Sequence, residues 1–213
     1  LYSKNYELLY KCNKTGSVKV RYGVKRVMNG TFLGSVTSIQ FPDSLERFDG
    51  WAAIPMSVEY LYIPKNLKTF TASSLIYLKE IEVSEENQLF KSINNKYVVS
   101  KDGKTLYFAA KSISNLDDLP NTIESIQTYA LYNCDKISQI KLNSPLKEIK
   151  ASAFGNCDKL QKIEIPSSII SMDSGALSGA NNLTEIIIHK KRGEISGEPW
   201  GAVYGTRVIQ YDI

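Results

Sequence analysis

The side chains that most often carry out catalytic chemistry are scarce in this chain, which has one histidine and three cysteines among 213 residues. His189 could serve as a base or a metal ligand only within a preorganised cluster of acids, thiols or hydroxyls. Its sequence neighbours are Lys190, Lys191 and Arg192, which would disfavour a bound cation. We therefore predict a solvent-exposed histidine at the end of a strand, and we predict no catalytic residue, no metal site and no cofactor.

Adjacent acids and evenly spaced glycines also lack the context of an active site. Asp117-Asp118 and Glu85-Glu86 are neighbours in sequence, and neighbouring strand residues point apart, so neither pair is suited to act as an acid–base dyad. Glycines recur every fourth residue from Gly193 to Gly205 without the GxxxxGKS/T sequence that binds phosphate. We interpret this segment as a cap over the C-terminal end of the fold, with Trp200 covering the last part of the core.

The elements that would position any site are set by an apolar pattern that returns every 23 residues over 119–141, 142–164 and 165–187. A fixed period of this size is typical of a solenoid, in which each unit buries its apolar face by stacking on its neighbours. The LxxIxI segment of each unit predicts a half-buried strand, and the Ala-Leu or Ala-Phe segment predicts a short helical turn. The repeating triplets are Leu119/Leu142/Ile165, Ile126/Ile149/Met172, Ala130/Ala153/Ala176, Ile137/Leu160/Leu183 and Ile140/Ile163/Ile186.

Two of the cysteines follow the same period. Cys134 and Cys157 are 23 residues apart, and coils stacked about 5 Å apart would bring them within disulfide range. Cysteine is also a good small buried residue, and Ala180 takes the next equivalent position. The pattern favours two buried thiols and leaves a disulfide open, while Cys12 has no evident partner.

The first half of the chain carries less regular units and a second, longer repeat. Phe48, Trp51 and Ala52 occupy the positions of Ile126, Tyr129 and Ala130. YSKNYELLY at 2–10 resembles VSKDGKTLY at 99–107, where Asp-Gly predicts a tight turn. Because the first copy starts abruptly, we expect a piece of a longer protein. The predicted layout is one solenoid over 1–213, with a truncated β-meander at 1–19, irregular repeats at 20–88, a meander insert at 89–118, three regular repeats at 119–187 and a C-terminal cap at 188–213.

Composition argues against two classes of partner. The formal charge is +4, and the 26 basic and 22 acidic residues are interspersed, whereas nucleic-acid binding usually needs a concentrated basic stripe. No apolar run approaches the roughly 20 residues of a membrane span. We therefore expect neither nucleic-acid binding nor membrane insertion of this chain.

The repeat sequences ALYNCDKISQIKL at 130–142 and SAFGNCDKLQKIEIPSSI at 152–169 carry a family resemblance. They resemble the BspA-like, or Treponema-type, leucine-rich repeat unit, IPxxVxxIgxxAFxxCxxLxxIxI, and the 99–107 type of insert also occurs in that family. The resemblance implies an α/β-type, strand-rich, right-handed leucine-rich repeat superhelix. It further implies an extracellular or cell-surface location and a role in adhesion or protein recognition.

The residues between the apolar strand positions are expected to point outward along one face. Exposed tyrosines combine apolar area with a polar tip and are enriched in binding hot spots, although tyrosine is also favoured on strands by β-propensity alone. We predict a monomeric, nonenzymatic recognition domain for a protein partner, such as a host extracellular-matrix or cell-surface protein. The alternative is a spacer or stalk that presents another domain. The predicted binding residues are Tyr60, Tyr62, Glu80, Glu82, Lys141 and Glu164.

Overall fold

The computed structural model describes residues 1–49, 54–70 and 75–210, so Trp51, Ala52 and residues 211–213 lie outside its described part. Over these ranges the chain is a strand-rich, mostly parallel β-solenoid, and no helix is present that could span a membrane. Its strands in chain order are β1 (Leu8–Leu9), β2 (Gly16–Lys19), β3 (Arg26–Met28), β4 (Val36–Gln40), β5 (Arg47–Asp49), β6 (Tyr60–Ile63), β7 (Glu80–Val83), β8 (Phe90–Ile93), β9 (Tyr97–Ser100), β10 (Thr105–Ala109), β11 (Ser125–Ile126), β12 (Gln139–Lys141), β13 (Glu148–Ile149), β14 (Lys162–Ile165), β15 (Ser171–Met172), β16 (Glu185–Ile188) and β17 (Arg207–Gln210).

The strands form four sheets, two of which carry the LxxIxI segments. We call β2-β4-β6-β7 the N-terminal front sheet and β12-β14-β16-β17 the C-terminal front sheet. The other two sheets are β1-β3-β5 and β15-β13-β11-β10-β9-β8. Pairing is parallel within both front sheets, and it is antiparallel where β8, β9 and β10 form consecutive hairpins.

The 23-residue period sets the strand register of the C-terminal front sheet. Ile140, Ile163 and Ile186 are direct partners across β12, β14 and β16, and Ile163 and Ile186 are fully buried. Of the repeating triplets, every member is buried except Leu119, which is half-buried against the same core. Stacking equivalent apolar residues on one another removes them from water without requiring long elements.

The expected helical turns are not confirmed, and the α/β mixture reduces to strands and turns in the described chain. Segments 128–133, 151–156 and 174–179 are runs of turns. Asn133, Asn156 and Gly179 occupy one repeating position and have φ angles of 62°, 51° and 81°. A left-handed residue ends right-handed helical winding, and asparagine and glycine tolerate it best.

The two copies of the longer repeat adopt the same turn. In the first, the Ser3 hydroxyl donates to Asn5 Oδ1 at 2.7 Å and accepts from the Leu8 amide at 3.0 Å. In the second, the Ser100 hydroxyl donates to Asp102 at 2.5 Å and accepts from the Thr105 amide at 2.9 Å. Short polar side chains therefore fix both turns by bonding to the local backbone.

At the C-terminal end, β17 continues the front sheet beside β16. Trp200 is fully buried, and its indole N–H donates to the Ser196 carbonyl at 2.8 Å. The Leu177 amide donates to the Trp200 carbonyl at 2.9 Å, as the Phe154 amide does to Ala176 one coil earlier. Trp200 thus occupies the position that alanine fills in the regular coils.

Candidate recognition surface

The exposed face of the N-terminal front sheet is a pair of rows of polar and aromatic side chains. Parallel pairing places Tyr60 between Ser38 and Glu80, and Tyr62 between Gln40 and Glu82. Buried Leu61 and Ile81 alternate with them on the opposite face. Four of the predicted binding residues therefore lie on adjacent strands of one sheet.

Tyr60 and Glu82 are joined diagonally across β6 and β7. The Tyr60 hydroxyl donates to Glu82 Oε2 at 2.8 Å. Burial, followed by the bond to Glu82 and the charge of that carboxylate, raises the pKa of Tyr60 to about 12. The phenol is therefore a fixed, neutral hydrogen-bond donor over the physiological pH range.

Glu80 and Glu82 differ from the glutamates of the C-terminal front sheet in their ionic contacts. Within the described ranges, neither has a lysine, arginine or histidine nitrogen within 4.0 Å. Beside them, Tyr62 and the strongly exposed Tyr22 line an open hollow of about 360 Å³. This surface therefore combines two acidic groups that lack ionic partners with accessible aromatic area.

The C-terminal front sheet uses its charges internally. Lys141 Nζ lies 2.9 Å from Glu164 Oε1, so these two predicted binding residues are bound to each other. His189 Nε2 lies 2.9 Å from the same oxygen. The hydrogen bonds from Lys141 and His189 lower the pKa of the Glu164 carboxyl. The His189 side chain is 34% exposed at the end of β16, and its contact with a carboxylate 25 positions away in sequence was not predicted.

A second set of ion pairs lies in the neighbouring row of this sheet. Lys162 contacts Glu185 at 2.8 Å, and Arg207 contacts the other oxygen of the same carboxylate. Both contacts lower the pKa of Glu185, with Lys162 first. Ile187, which was expected to be an outward residue, is only 8% exposed. We call the contacts around Glu164 and Glu185 the ion-pair ladder.

The two cysteines that follow the 23-residue period are buried in the part of the chain that the structure describes. All three cysteines are unbridged, and Cys134 and Cys157 are buried, as the pattern favoured. Burial raises the pKa of the Cys157 thiol to about 12, which leaves it an unreactive thiol at neutral pH. Across the described residues, no cluster of three or more histidine, cysteine or acidic side chains could hold a metal ion.

One residue that the sequence reasoning missed is Lys111, which is half-buried beside Cys134. The sequence feature that could have revealed it is a shortened distance along the chain between two buried apolar residues. Only four positions separate Ala109 from Ile113, whereas six separate Leu131 from Ile137 in the next coil. A shortened coil changes the surface around it.

A comparison with known protein families identifies a repeat family for this chain. A family model described as BspA type leucine rich repeat region matches residues 4–115 and 104–198, with six copies of the repeat. The matches together cover more than half of the chain. A comparison with curated proteins gives no significant match.

Solved structures with a similar fold come from bacteria. A leucine rich cell surface protein from Faecalibacterium prausnitzii is 18% identical, with a TM-score of 0.52 over 84% of this chain and 61% of that chain. A leucine-rich repeat protein from Eubacterium ventriosum is 16% identical, with a TM-score of 0.54 over 82% and 60%. The pneumococcal vaccine antigen PcpA is 15% identical, with a TM-score of 0.56 over 92% and 68%. At these identities the likeness concerns the fold, and the chain spans about three fifths of the first two structures.

Proposed function

This chain belongs to the BspA-type leucine-rich repeat family, and we propose that it is a noncatalytic recognition domain that binds a protein partner through its N-terminal front sheet. A solenoid of this kind offers an extended surface and stacks its core residues without needing an enclosed pocket. The proposed setting is the cell surface or the extracellular space. It is supported by the description of the Faecalibacterium prausnitzii structure as a cell surface protein.

The observation that carries the choice of sheet is the different use of charge. Glu164 contacts Lys141 and His189, and Glu185 contacts Lys162 and Arg207. Glu80 and Glu82 contact none among the described residues, and they flank Tyr60 and Tyr62 in register. A partner with cationic groups could therefore bind Glu80 and Glu82 without first breaking ion pairs within the sheet.

Energetically, the tyrosines are the expected anchors of the interface. A tyrosine buries a large apolar ring with little loss of side-chain freedom, and its hydroxyl can still bond at the edge. Tyr60 is already held by Glu82, so less ordering is required on binding. Lys141 and Glu164, which were also predicted to bind, lie on the C-terminal front sheet and are bound to each other, so this proposal gives them a part in stability and not in binding.

We also propose that the segment around Trp200 acts as a C-terminal cap. Its support is the complete burial of Trp200 in the alanine position of the last coil. A stack of repeats needs a closing element because the outer face of a terminal coil would otherwise expose apolar side chains.

The test of the recognition role is capture of partners from a panel of extracellular-matrix and cell-surface proteins, followed by affinity measurement. The variant Tyr60→Ala with Tyr62→Ala should weaken binding by about tenfold or more, as for hot-spot residues. The matched control is Lys162→Ala with Glu185→Ala in the other front sheet, which should leave affinity unchanged. An unchanged far-UV spectrum shows that the variants are folded. Equal affinity of the folded tyrosine variant and the parent protein would refute the site.

A spacer that presents another domain is the second candidate function. The observation that favours it is the recurrence of the same hairpin turn followed by coils in both halves of the chain. In that case the isolated domain would capture no partner, and a longer protein containing it would bind through other residues. Binding by the isolated domain that depends on Tyr62 would exclude the spacer as its sole role.

A further inference from the structure

The coil that contains Ala109 and Ala110 lacks two residues that each regular coil has. The Ala109 amide donates to Ala130 just as the Leu131 amide donates to Ala153, so Ala109 and Leu131 are equivalent. The Ile113 amide donates to Ala110 as the Ile137 amide donates to Cys134. Leu131 and Cys134 are three positions apart, whereas Ala109 and Ala110 are adjacent.

The missing residues open a notch in the side of the solenoid, bounded by the coils on either side. Asn133 Nδ2 reaches across it to the Ile76 carbonyl at 3.3 Å, although the two residues are 57 positions apart. A hollow of about 530 Å³ opens here, and Tyr77, Lys79, Lys111 and Lys136 are among its lining residues. In the regular coils two further turn residues occupy this position.

Lys111 occupies the position that acidic or amide side chains fill in the regular coils, namely Asp135, Asp158 and Asn181. There, Asp135 accepts from the Asp158 amide at 3.0 Å, and Asn181 donates to Asp158 at 3.1 Å. Lys111 instead places its ammonium 3.2 Å from the Ala109 carbonyl. An ammonium in place of an acid reverses the local charge where the notch begins.

The contacts of the Lys111 ammonium with the described residues are weak. Its Nζ lies 3.9 Å from Cys134 Sγ and 4.8 Å from the centre of the Phe108 ring. Within the ranges that the structure describes, no carboxylate lies within 4.0 Å of it. Burial lowers the pKa of Lys111, and the nearby thiols of Cys134 and Cys157 and the charge of Asp135 offset this only in part. A half-buried cation of this kind is stabilised by an anion brought close to it.

The balance of charge around the hollow is positive. Glu59 is paired with Lys79 at 2.9 Å, so those two groups compensate each other. Lys136 is exposed and has no carboxylate within 4.0 Å among the described residues. Two ammonium groups, those of Lys111 and Lys136, are therefore available to an incoming anion.

The remaining donors indicate what kind of anion fits. The Ser57 hydroxyl already donates to the Val36 carbonyl at 2.7 Å, and the Ser112 hydroxyl to the Lys79 carbonyl at 2.8 Å. Each ammonium group can donate to one oxygen of a planar carboxylate, so the pair matches a group that carries two anionic oxygens. The Tyr77 side chain is 59% exposed and offers an apolar wall.

We propose that the notch at Lys111 is a second binding site, separate from the front sheets, which takes a carboxylate carried by an apolar group. The Lys111 and Lys136 ammonium groups contact the two carboxylate oxygens, and the apolar group packs against Tyr77. The C-terminal residue of a peptide, an acidic side chain next to apolar residues and a free organic acid share this chemistry.

The test uses N-acetylphenylalanine as the probe and N-acetylphenylalaninamide as its uncharged control. Binding of each compound is measured from the chemical shifts of the backbone N–H groups of the full chain. The acid should cause saturable shifts around Tyr77, Lys111 and Lys136, whereas the amide should cause none. Benzenesulfonate should bind more weakly than the acid. N-acetyl-aspartyl-phenylalaninamide, which carries its carboxylate on a side chain, distinguishes a terminal carboxylate from an acidic side chain as the source.

Variants keep the proposal open to refutation. Lys111→Met should reduce the affinity for the acid about tenfold. Because Lys111 is half-buried, the exposed Lys136→Gln provides a second variant that carries little risk to folding, and it should weaken binding as well. Lys159→Gln is the matched control, since Lys159 lies 23 residues after Lys136 and should have no effect.

Equal binding of the acid and the amide, or tighter binding of the sulfonate, would overturn the carboxylate assignment. If the Lys136→Gln protein binds the acid with the affinity of the parent protein, the site assignment is overturned. The Tyr60→Ala, Tyr62→Ala protein should bind the acid normally, so failure of this site and failure of the front-sheet proposal are distinguished.

Discussion

The two front sheets have the same parallel architecture and differ in where their charges are satisfied. In the C-terminal front sheet, Lys141 lies beside Glu164, and Lys162 lies beside Glu185. In the N-terminal front sheet, the two glutamates of β7 lie beside the two tyrosines of β6. A sheet whose charges pair across coils is suited to holding coils together, and one whose acids lack such partners is suited to meeting something else.

The difference comes from which residues occupy the two exposed positions of each strand. The exposed strand positions carry lysine and then glutamate in successive coils at a spacing of 23, which brings opposite charges into register. Between β6 and β7 the spacing is 20, and tyrosine is followed by glutamate at both positions. Identical backbone pairing therefore supports either an internal ladder or an outward surface, depending on two residues per coil.

The largest effect is expected from Trp200→Ala. Truncating this buried ring should lower the free energy of unfolding by about 3–5 kcal/mol. Because each coil contacts only its neighbours, amide exchange should accelerate in β16 and β17 and stay slow in β4 and β6. Trp200→Phe is the conservative control. An equal loss of protection from amide exchange in both front sheets would mean that they unfold as one unit. It would contradict the view that the two sheets are stabilised independently.

The next largest effect concerns binding. Glu80→Gln with Glu82→Gln should weaken a partner captured by the domain about tenfold at low salt, because the cationic groups of the partner lose their complement. Stability should change little.

The matched variant of that pair is Glu164→Gln with Glu185→Gln. This change should leave affinity intact and lower the urea midpoint, since it removes the ion-pair ladder. The opposite pattern, with binding lost only in the Glu164 and Glu185 variant, would reverse the assignment of the two sheets.

A smaller effect is expected from Tyr60→Phe, which removes the bond to Glu82. The cost should be about 1 kcal/mol of unfolding free energy, a typical value for one hydrogen bond. The pKa of Tyr60 is raised to about 12 from about 10 in an unfolded chain, so this contribution is complete below the unfolded pKa and is lost as pH rises through the folded one. Burial also raises the pKa of Tyr97 and Tyr107, so an ultraviolet titration should show one fewer late-ionising tyrosine in the variant than in the parent protein.

The smallest effect is the acid response of the ion-pair ladder. The pKa values of Glu164 and Glu185 are lowered, chiefly by Lys141 and Lys162 respectively. Their contribution is therefore present above the unfolded glutamate pKa, about 4.3, and it is lost as pH falls through the lowered folded values. Thermal melts should show a steeper fall in acid for the parent protein than for Glu164→Gln with Glu185→Gln. Parallel curves would show that the ladder contributes nothing measurable.

Much of the fold could be predicted because burial acts on one residue at a time. Ala130, Ala153 and Ala176 are fully buried, as their spacing indicated, and the LxxIxI segments are strands. The turn segments were harder, since Ala-Leu pairs favour helix while Asn133 and Asn156 adopt a left-handed backbone. Local propensity competes there with the need to reverse direction within one coil.

The front-sheet residues show a similar limit. Tyr60 and Tyr62 lie in register with Glu80 and Glu82, which the alternation of apolar residues indicated. The contact of His189 with Glu164 was not predicted, because it runs diagonally between the end of β16 and β14 and does not join register partners. Ile187 lies between the apolar positions of its strand, where an exposed residue was expected, and it is buried.

The sequence by itself determined the coil repeat, the family and the apolar register, because each repeating side chain must leave water and can do so only by stacking on its equivalent. The tertiary structure alone decided which charges meet and where the notch lies. Ion pairing across coils depends on which residue of the next coil falls within about 4 Å, a distance at which a charge interaction is significant. The coil lacks two residues between Ala109 and Ala110, and this shortening forms the notch only when the neighbouring coils are packed on either side.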